Sequence, residues 1–242
     1  MTESKYPPEG TPEAAPRLTV IVPIYNERHT IHEILRRVLA APIDLEVVAV
    51  DDGSTDGTRE MLRELEGAYP NVRIVLKERN EGKGSAVRAA IPYARGEYIV
   101  IQDGDLEYDP QDFPRLVEAA DRGADVVYGS RFLSGSPPMR LPNRIINWLL
   151  AAMVRVLYRA HITDEATCYK LFRREVLQSL PLTCIRFEFC PEVTAKVLRR
   201  GHRIVEVPIA YTPRTAAAGK KIRPRDGIEA IYTLLRYVFW RG

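Results

Sequence analysis

The chain has 242 residues, 45% of them hydrophobic and 28% charged, with a formal net charge of +3. That length and balance suit one large folded domain, and so small a charge gives no footing for a nucleic-acid partner. Three cysteines, Cys168, Cys184 and Cys190, lack a zinc-type spacing and are expected as free thiols of a reducing compartment.

Taken in order, Met1 to Pro16 is rich in Pro, Glu and Ser and is expected to be a disordered tail, leaving 17–242 as the folded domain. Leu18 to Ile24 reads as a buried strand, and a helix follows from about Arg28 to Ala40 with Ile31, Ile34, Leu35 and Val38 at helical spacing. Further strands are predicted at Leu45 to Val50, Val72 to Leu76 and Tyr98 to Ile101, with helices at Thr58 to Ala68 and Ser85 to Ala94 between them. This alternation means an α/β fold with a mostly parallel sheet and helices on both faces. Ligands of such sheets sit beyond the carboxyl ends of the strands.

Polar clusters fall at those ends. After the first strand stands Pro23-Ile24-Tyr25-Asn26-Glu27, where an aromatic face and a carboxylate suit a base or ribose. The second strand runs into Asp51-Asp52-Gly53-Ser54-Thr55-Asp56-Gly57-Thr58, and Asp52 is the expected acceptor for base or sugar donors. Asn80 to Ser85 opens a helix, where free backbone N–H groups and Lys83 are expected to meet an anion. The fourth strand delivers Gln102-Asp103-Gly104-Asp105-Leu106-Glu107. If that segment stays extended, Asp103, Asp105 and Glu107 share a face and converge on Mg2+ or Mn2+. A solvated acidic turn is the competing reading of the same residues.

Past this cluster a strand over Asp125 to Gly129 delivers Arg131, and Leu141 to Ala160 reads as a long basic amphipathic helix. That helix suits either an anionic membrane surface or packing on the sheet or a second subunit, as in a homodimer. A helix from about Arg186 to Arg200 leaves Glu188 and Glu192 either at the acceptor site or as N-terminal helix charges. Arg203 to Ile209 is a last strand, and Arg225 to Trp240 a last helix. Basic residues crowd into the C-terminal third, which favours an anionic ligand there. No apolar signal core opens the chain and no apolar run reaches the roughly 18 residues of a membrane span, so a cytoplasmic protein is expected, peripheral at the inner membrane face.

Four motifs in order, Pro23-Tyr25-Asn26-Glu27, the Asp51 to Thr58 turn, Gly82-Lys83-Gly84 and Asp103-Gly104-Asp105-Leu106-Glu107, resemble those of family 2 glycosyltransferases with the Rossmann-like GT-A fold. The similarity runs from about Arg17 to Tyr237 and is greatest to the dolichol-phosphate mannose synthase and polyprenyl-phosphate glycosyltransferase branch. It implies an inverting enzyme that takes a hexose from a GDP-mannose- or UDP-glucose-type donor, with Mg2+ or Mn2+, to a lipid-linked phosphate. Pro23, Tyr25, Asn26, Glu27, Asp52, Lys83 and Gly104 would then serve the nucleotide sugar, and Asp103, Asp105 and Glu107 the metal and diphosphate. Relatives often carry Gln where Glu107 stands. Arg131 matches the family's arginine after that strand, Asp164 falls in the region of acceptor-side residues, and Arg214 and Lys220 match its flexible-loop cations. The C-terminal region, about 141–242, would lie on the acceptor side. Two alternatives stay open at this point: a transferase of the same fold acting on a hydroxyl with Asp164 as general base, and a non-catalytic nucleotide-binding or signalling protein.

Overall fold

A computed structural model describes residues 15–135, 137, 139–214 and 224–241. The N-terminal tail expected over 1–16 lies outside them except at its end, where the Pro16 carbonyl accepts from the Glu97 N–H and so already borders the sheet.

Four strands form by the apolar logic of their sequences: β1 (Leu18–Ile24), β2 (Leu45–Asp51), β3 (Val72–Leu76) and β4 (Tyr98–Ile101). Val20, Ile21 and Val22 of β1 are fully buried, as expected for a central strand covered on both faces. Between these strands run α1 (Ile31–Leu39), α2 (Thr58–Leu65) and α3 (Lys83–Ala90). The stripe Ile31, Ile34, Leu35 and Val38 is the buried face of α1, and α3 packs on β1 and β2.

The remaining elements are α4 (Phe113–Asp121), β5 (Val126–Ser130), α5 (Leu141–Tyr158), β6 (Lys170–Arg173), α6 (Arg174–Ser179), α7 (Phe189–Arg199), β7 (Ile204–Pro208) and α8 (Pro224–Arg236). The described residues form one seven-stranded sheet in the order β3-β2-β1-β4-β6-β5-β7. All pairings are parallel except those of β6, which runs antiparallel between β4 and β5.

The sequence pattern did not disclose β6, because its first residue is a lysine. Lys170 is nevertheless fully buried, its ammonium donating to the Glu165 carbonyl at 2.6 Å and lying 3.7 Å from the Tyr128 ring centroid. A charge at such a position needs a partner, and the ring and carbonyl together provide one.

Chain order places β2 on one side of β1 and β4 on the other, so the carboxyl ends of β1 and β4 flank a switch point of the sheet. Loops that leave adjacent parallel strands in opposite directions open a crevice there. A second, smaller apolar cluster joins Leu150 and Val154 of α5 to Ala195 of α7 and to Ala230, Leu234 and Tyr237 at the C-terminal end.

Candidate active site

At the switch point the loop after β1 is shaped first by Asn26, whose φ of 52° is left-handed, a conformation Asn adopts more readily than most residues. Its side-chain oxygen accepts from the Thr55 N–H at 2.8 Å, and its own N–H donates to Ser54 Oγ at 2.9 Å. Asn26, expected to touch the donor, thus ties the first two strand-end loops together. The turn aims Glu27 back across the crevice. Thr30 Oγ1 lies 3.0 Å from Glu27 Oε2 and 2.8 Å from the Gly104 carbonyl, bridging the loops after β1 and β4. At Gly104 an added Cβ would stand 3.3 Å from Glu27 Cγ and 3.7 Å from the Pro23 carbonyl, so the loops meet where a side chain has little room.

The second loop is held by two buried carboxylates. Asp51 pairs with Arg59, and Asp52 takes the Lys77 ammonium at 2.6 Å and the Gly82 N–H at 2.6 Å. Asp52 also accepts from the Glu81 N–H at 3.2 Å. The expected anion site at the start of α3 is corrected by these contacts. Glu81 and Gly82 give their N–H groups to Asp52, while Gly84 and Ser85 donate to the carbonyls of Arg186 and Ile185, each at 2.9 Å. A helix start with the N–H groups of Glu81, Gly82, Gly84 and Ser85 already taken offers little to a phosphate. Only the Lys83 side chain turns towards the acidic cluster.

That cluster also departs from its expected form. The chain does not stay extended past Ile101; it bends at Gly104 and Asp105 and turns at Leu106 and Glu107, so alternation along a strand no longer aligns the side chains. Asp103 pairs with Lys83 at 2.5 Å, Asp105 with Arg214 at 2.6 Å, and Glu107 accepts from the Arg214 N–H at 2.8 Å and the Tyr211 hydroxyl at 3.1 Å. Among the described residues no group of three or more His, Cys, Asp and Glu side chains is arranged to hold a metal. The guanidinium of Arg214 reaches Glu27 as well, at 3.1 Å, and so spans the crevice from one loop to the other.

Electrostatics distinguish the two aspartates. Burial opposes the charge of Asp103, but the adjacent Lys83 overcomes it and holds the carboxyl below its ordinary value. Burial and then the Asp103 charge push the Asp105 carboxyl up to about 6, against the pull of Arg214. The thiol of Cys168, 3.7 Å from the Lys83 ammonium, is driven well up by burial and by Asp103, which suits an inert packing role.

Arg131 leaves the end of β5 and forms a two-pronged pair with Asp164, Nε to Oδ2 and Nη2 to Oδ1, both at 2.7 Å. Asp164 is 0% exposed and also accepts the Arg131 N–H at 3.0 Å. The carboxylate weighed as a general base therefore stands behind Arg131, closed to an acceptor. The guanidinium lies 5.1 Å from the Tyr211 ring centroid, which links it through the Tyr211 hydroxyl to Glu107. Asp164 is placed in turn by Glu206 of β7, which accepts from the N–H groups of Thr163 at 2.7 Å and Asp164 at 3.0 Å.

Pro23 and Tyr25 stand half-buried beside this crevice, and Lys220 lies outside the described residues. Glu188 and Glu192 prove structural. The first accepts from the Ile185 and Arg186 N–H groups; the second, buried, takes the Lys196 ammonium and the N–H groups of Thr183 and Cys184. Thr30, Lys77, Tyr211 and Glu206 join the site without having been singled out in the sequence. Lys77 alone carried a signal, since it directly follows β3 at the same edge as the motifs.

Residues 19–180 match the family described as Glycosyl transferase family 2. The chain is 29% identical over 232 residues to the dolichol-phosphate mannosyltransferase of Pyrococcus furiosus, covering 93% of this chain and only 65% of that protein. It is 32% identical over 213 residues to the polyprenol monophosphomannose synthase of Mycolicibacterium smegmatis, covering 84% of this chain and 80% of the relative. Among solved structures it resembles glucosyl-3-phosphoglycerate synthase from Mycobacterium tuberculosis, crystallised with Mn2+, UDP and phosphoglyceric acid. The TM-score is 0.70 at 21% identity, over 95% of this chain and 81% of the other, a likeness of fold. With the family matched over most of its sheet and the polar motifs gathered at its switch point, the chain belongs to glycosyl transferase family 2.

Proposed function

We propose that this chain transfers a hexose from a nucleotide sugar to a polyprenyl- or dolichyl-type lipid phosphate, with inversion at the anomeric carbon. The observation that carries the reading is the pairing of Asp164 with Arg131. A hydroxyl acceptor must lose its proton to a base during attack, and the carboxylate best placed by sequence for that work is fully buried against a guanidinium. A phosphate monoester arrives already anionic. One of its oxygens forms the new bond to the anomeric carbon as the bond to the diphosphate breaks, and the nucleoside diphosphate leaves with the electron pair. Arg131 and, across the crevice, Arg214 and Lys83 supply positive charge to orient acceptor and donor. The names of the relatives, both transferases of mannose to isoprenoid phosphates, support the same acceptor class.

The residues present fit a divalent cation as a site of one or two carboxylates completed by substrate phosphates, the usual manner of Mg2+. Asp105 and Asp103 would hold it. Their oxygen donors are hard, and an Asp105 carboxyl pushed up to about 6 by burial and a like charge is one that an added cation would favour in its ionised form. When bound, such an ion neutralises charge on the departing diphosphate. Glu27 and Glu107 lend their charge to Arg214 and keep that guanidinium at the rim of the same crevice.

The reading extends to a peripheral position at the inner membrane face, since a lipid-linked acceptor must be met at its bilayer, and to assembly as a homodimer. No helix among the described residues is long and apolar enough to cross a membrane. Transfer of radiolabelled sugar from GDP-mannose and UDP-glucose to polyprenyl phosphate, and to a panel of hydroxyl acceptors, tests the proposal. Labelled lipid is the expected product; transfer to hydroxyls alone would overturn it.

A further inference from the structure

The segment after β7 brings an aromatic ring between the two sides of the candidate site. Ile209 donates its N–H to the Ser130 carbonyl at 3.3 Å, Ala210 to Asp112 at 2.7 Å and Thr212 to the Glu107 carbonyl at 2.9 Å. The backbone around Tyr211 is thereby fastened to the end of β5, to the residue before α4 and to the acidic cluster. Tyr211 itself forms an isolated antiparallel bridge with Tyr108. Its ring packs on that of Tyr108 with centroids 5.5 Å apart, and buried Tyr108 packs in turn on buried Tyr169 at 4.9 Å. At its tip the Tyr211 hydroxyl donates to Glu107 at 3.1 Å. A ring held by an aromatic stack at its back and a hydrogen bond at its tip has little freedom to tilt.

The Arg131 guanidinium lies over that ring, its Cζ 5.1 Å from the centroid and so within the range of a cation–π contact. Asp164 grips the guanidinium along its Nε and Nη2 side, which sets its position within its own plane. A planar group gripped along one edge can still swing about that edge, and the contact of its face with Tyr211 opposes that rotation. The Nη1 edge is turned away from Asp164. Because Asp164 is 0% and Arg131 8% exposed, an anion that reaches the pair meets the arginine on its free edge. Guanidinium donors bind phosphate oxygens in their own plane, so the tilt of that plane decides the direction from which a phosphate is taken. The other oxygen of Glu107 accepts the Arg214 N–H at 2.8 Å, and the Arg214 side chain answers Asp105, so the same ring is tied to the donor side.

We infer that Tyr211 is a positioning residue of the acceptor subsite, whose ring sets the plane of the Arg131 guanidinium so that its Nη1 edge receives the oxygens of a phosphate monoester. The inference deepens the lipid-phosphate reading and rests on it for the nature of the anion. Calorimetric titration of the full chain with farnesyl phosphate, and separately with GDP and UDP in the presence of Mn2+, reads the acceptor side apart from the donor side. Three proteins are compared: wild type, Tyr211→Phe and Tyr211→Leu. The leucine variant should bind farnesyl phosphate about tenfold more weakly, the size of one shielded cation–π contact. The phenylalanine variant keeps the ring and should stay within about threefold of wild type, the loss of one ordinary hydrogen bond at most. Both should keep the wild-type affinity for nucleotide. In transfer assays the loss should fall on KM for the lipid phosphate and leave kcat and the donor KM nearly unchanged. Equal farnesyl phosphate affinity in wild type and the leucine variant overturns the inference, and so does an absence of binding by wild type, whatever the transfer result. A parallel loss of nucleotide affinity in the leucine variant overturns it too, since Tyr211 would then merely pack the segment. If the phenylalanine variant falls as far as the leucine one, the effect belongs to the hydroxyl and the role given to the ring is wrong. Transfer to hydroxyls alone, with the tenfold loss of phosphate affinity still present, would sink the acceptor reading and leave the positioning of Arg131 intact.

Discussion

The sheet has two unlike halves, β3-β2-β1-β4 and β6-β5-β7. In the first every pairing is parallel, each strand feeds a short loop and a helix, and the buried charges Asp51 and Asp52 are neutralised by Arg59 and Lys77 from the neighbouring segments. In the second an antiparallel strand enters from far along the chain, and buried charges fasten segments that sequence does not make neighbours. Asp164 clasps Arg131, and part-buried Glu206 takes the N–H groups of Thr163 and Asp164 from another strand. The contrast separates two uses of buried charge: in the first half it shapes the loops of one crevice, and in the second it fixes long-range packing from which that crevice borrows a single guanidinium. Arg214 joins the halves, since it follows β7 and answers Glu27 and Asp105 across the switch point.

That comparison can be broken most sharply at Asp105. Its replacement by alanine should lower metal-dependent turnover by about 10³-fold or more, because several kcal/mol of charge stabilisation are at stake and each ~1.4 kcal/mol is tenfold. The melting midpoint should hardly fall; near-normal turnover of Asp105→Ala with Mn2+ would remove the crevice from the chemistry. Asp164→Ala should do the reverse and act first on the fold. Leaving Arg131 buried without its partner costs about 3 kcal/mol or more, read as a lower urea midpoint. Asp164→Asn should retain transfer to a lipid phosphate with an unchanged pH profile, whereas loss of an ascending limb would restore Asp164 as a base.

Gly84→Ala probes the seam between the halves. Its Cβ would come within 2.9 Å of the Arg186 carbonyl and 3.1 Å of Cys184 Cβ, so a loss of about 2 kcal/mol in stability is expected. An unshifted denaturation midpoint would mean that the seam gives way freely. The smallest effect concerns Arg214, whose guanidinium occupies Asp105. Without donor, Arg214→Ala should bind Mn2+ about tenfold more tightly by calorimetry, since ~1.4 kcal/mol of competition is lifted, yet transfer should be slower. Equal Mn2+ affinity in variant and wild type would show that the arginine and the ion do not compete.

Sequence by itself determined the first half and the placing of its motifs. Short apolar runs rich in β-branched residues, such as Leu18 to Ile24, read as covered strands, the stripe from Ile31 to Val38 reads as a core-facing helix side, and polar residues that end such runs fall at strand ends. Asp103, Asp105, Glu27 and Asp52 were therefore legible as one edge of the sheet, because local pattern fixes strand boundaries and parallel pairing brings like ends together. Tertiary structure alone decided what those groups touch. The bend at Gly104 ended strand alternation among the three carboxylates and gave Asp103 to Lys83 and Asp105 and Glu107 to Arg214, and the carbonyls of Ile185 and Arg186 filled N–H groups at the start of α3 from a hundred residues away. It also decided β6, whose buried Lys170 carries no apolar signal until Tyr128 and the Glu165 carbonyl are placed around it. The physical reason is common to all three: hydrophobic periodicity is a property of neighbours along the chain, whereas a buried charge or a free N–H is satisfied by whichever group the fold brings near, and that group leaves no mark on the local sequence.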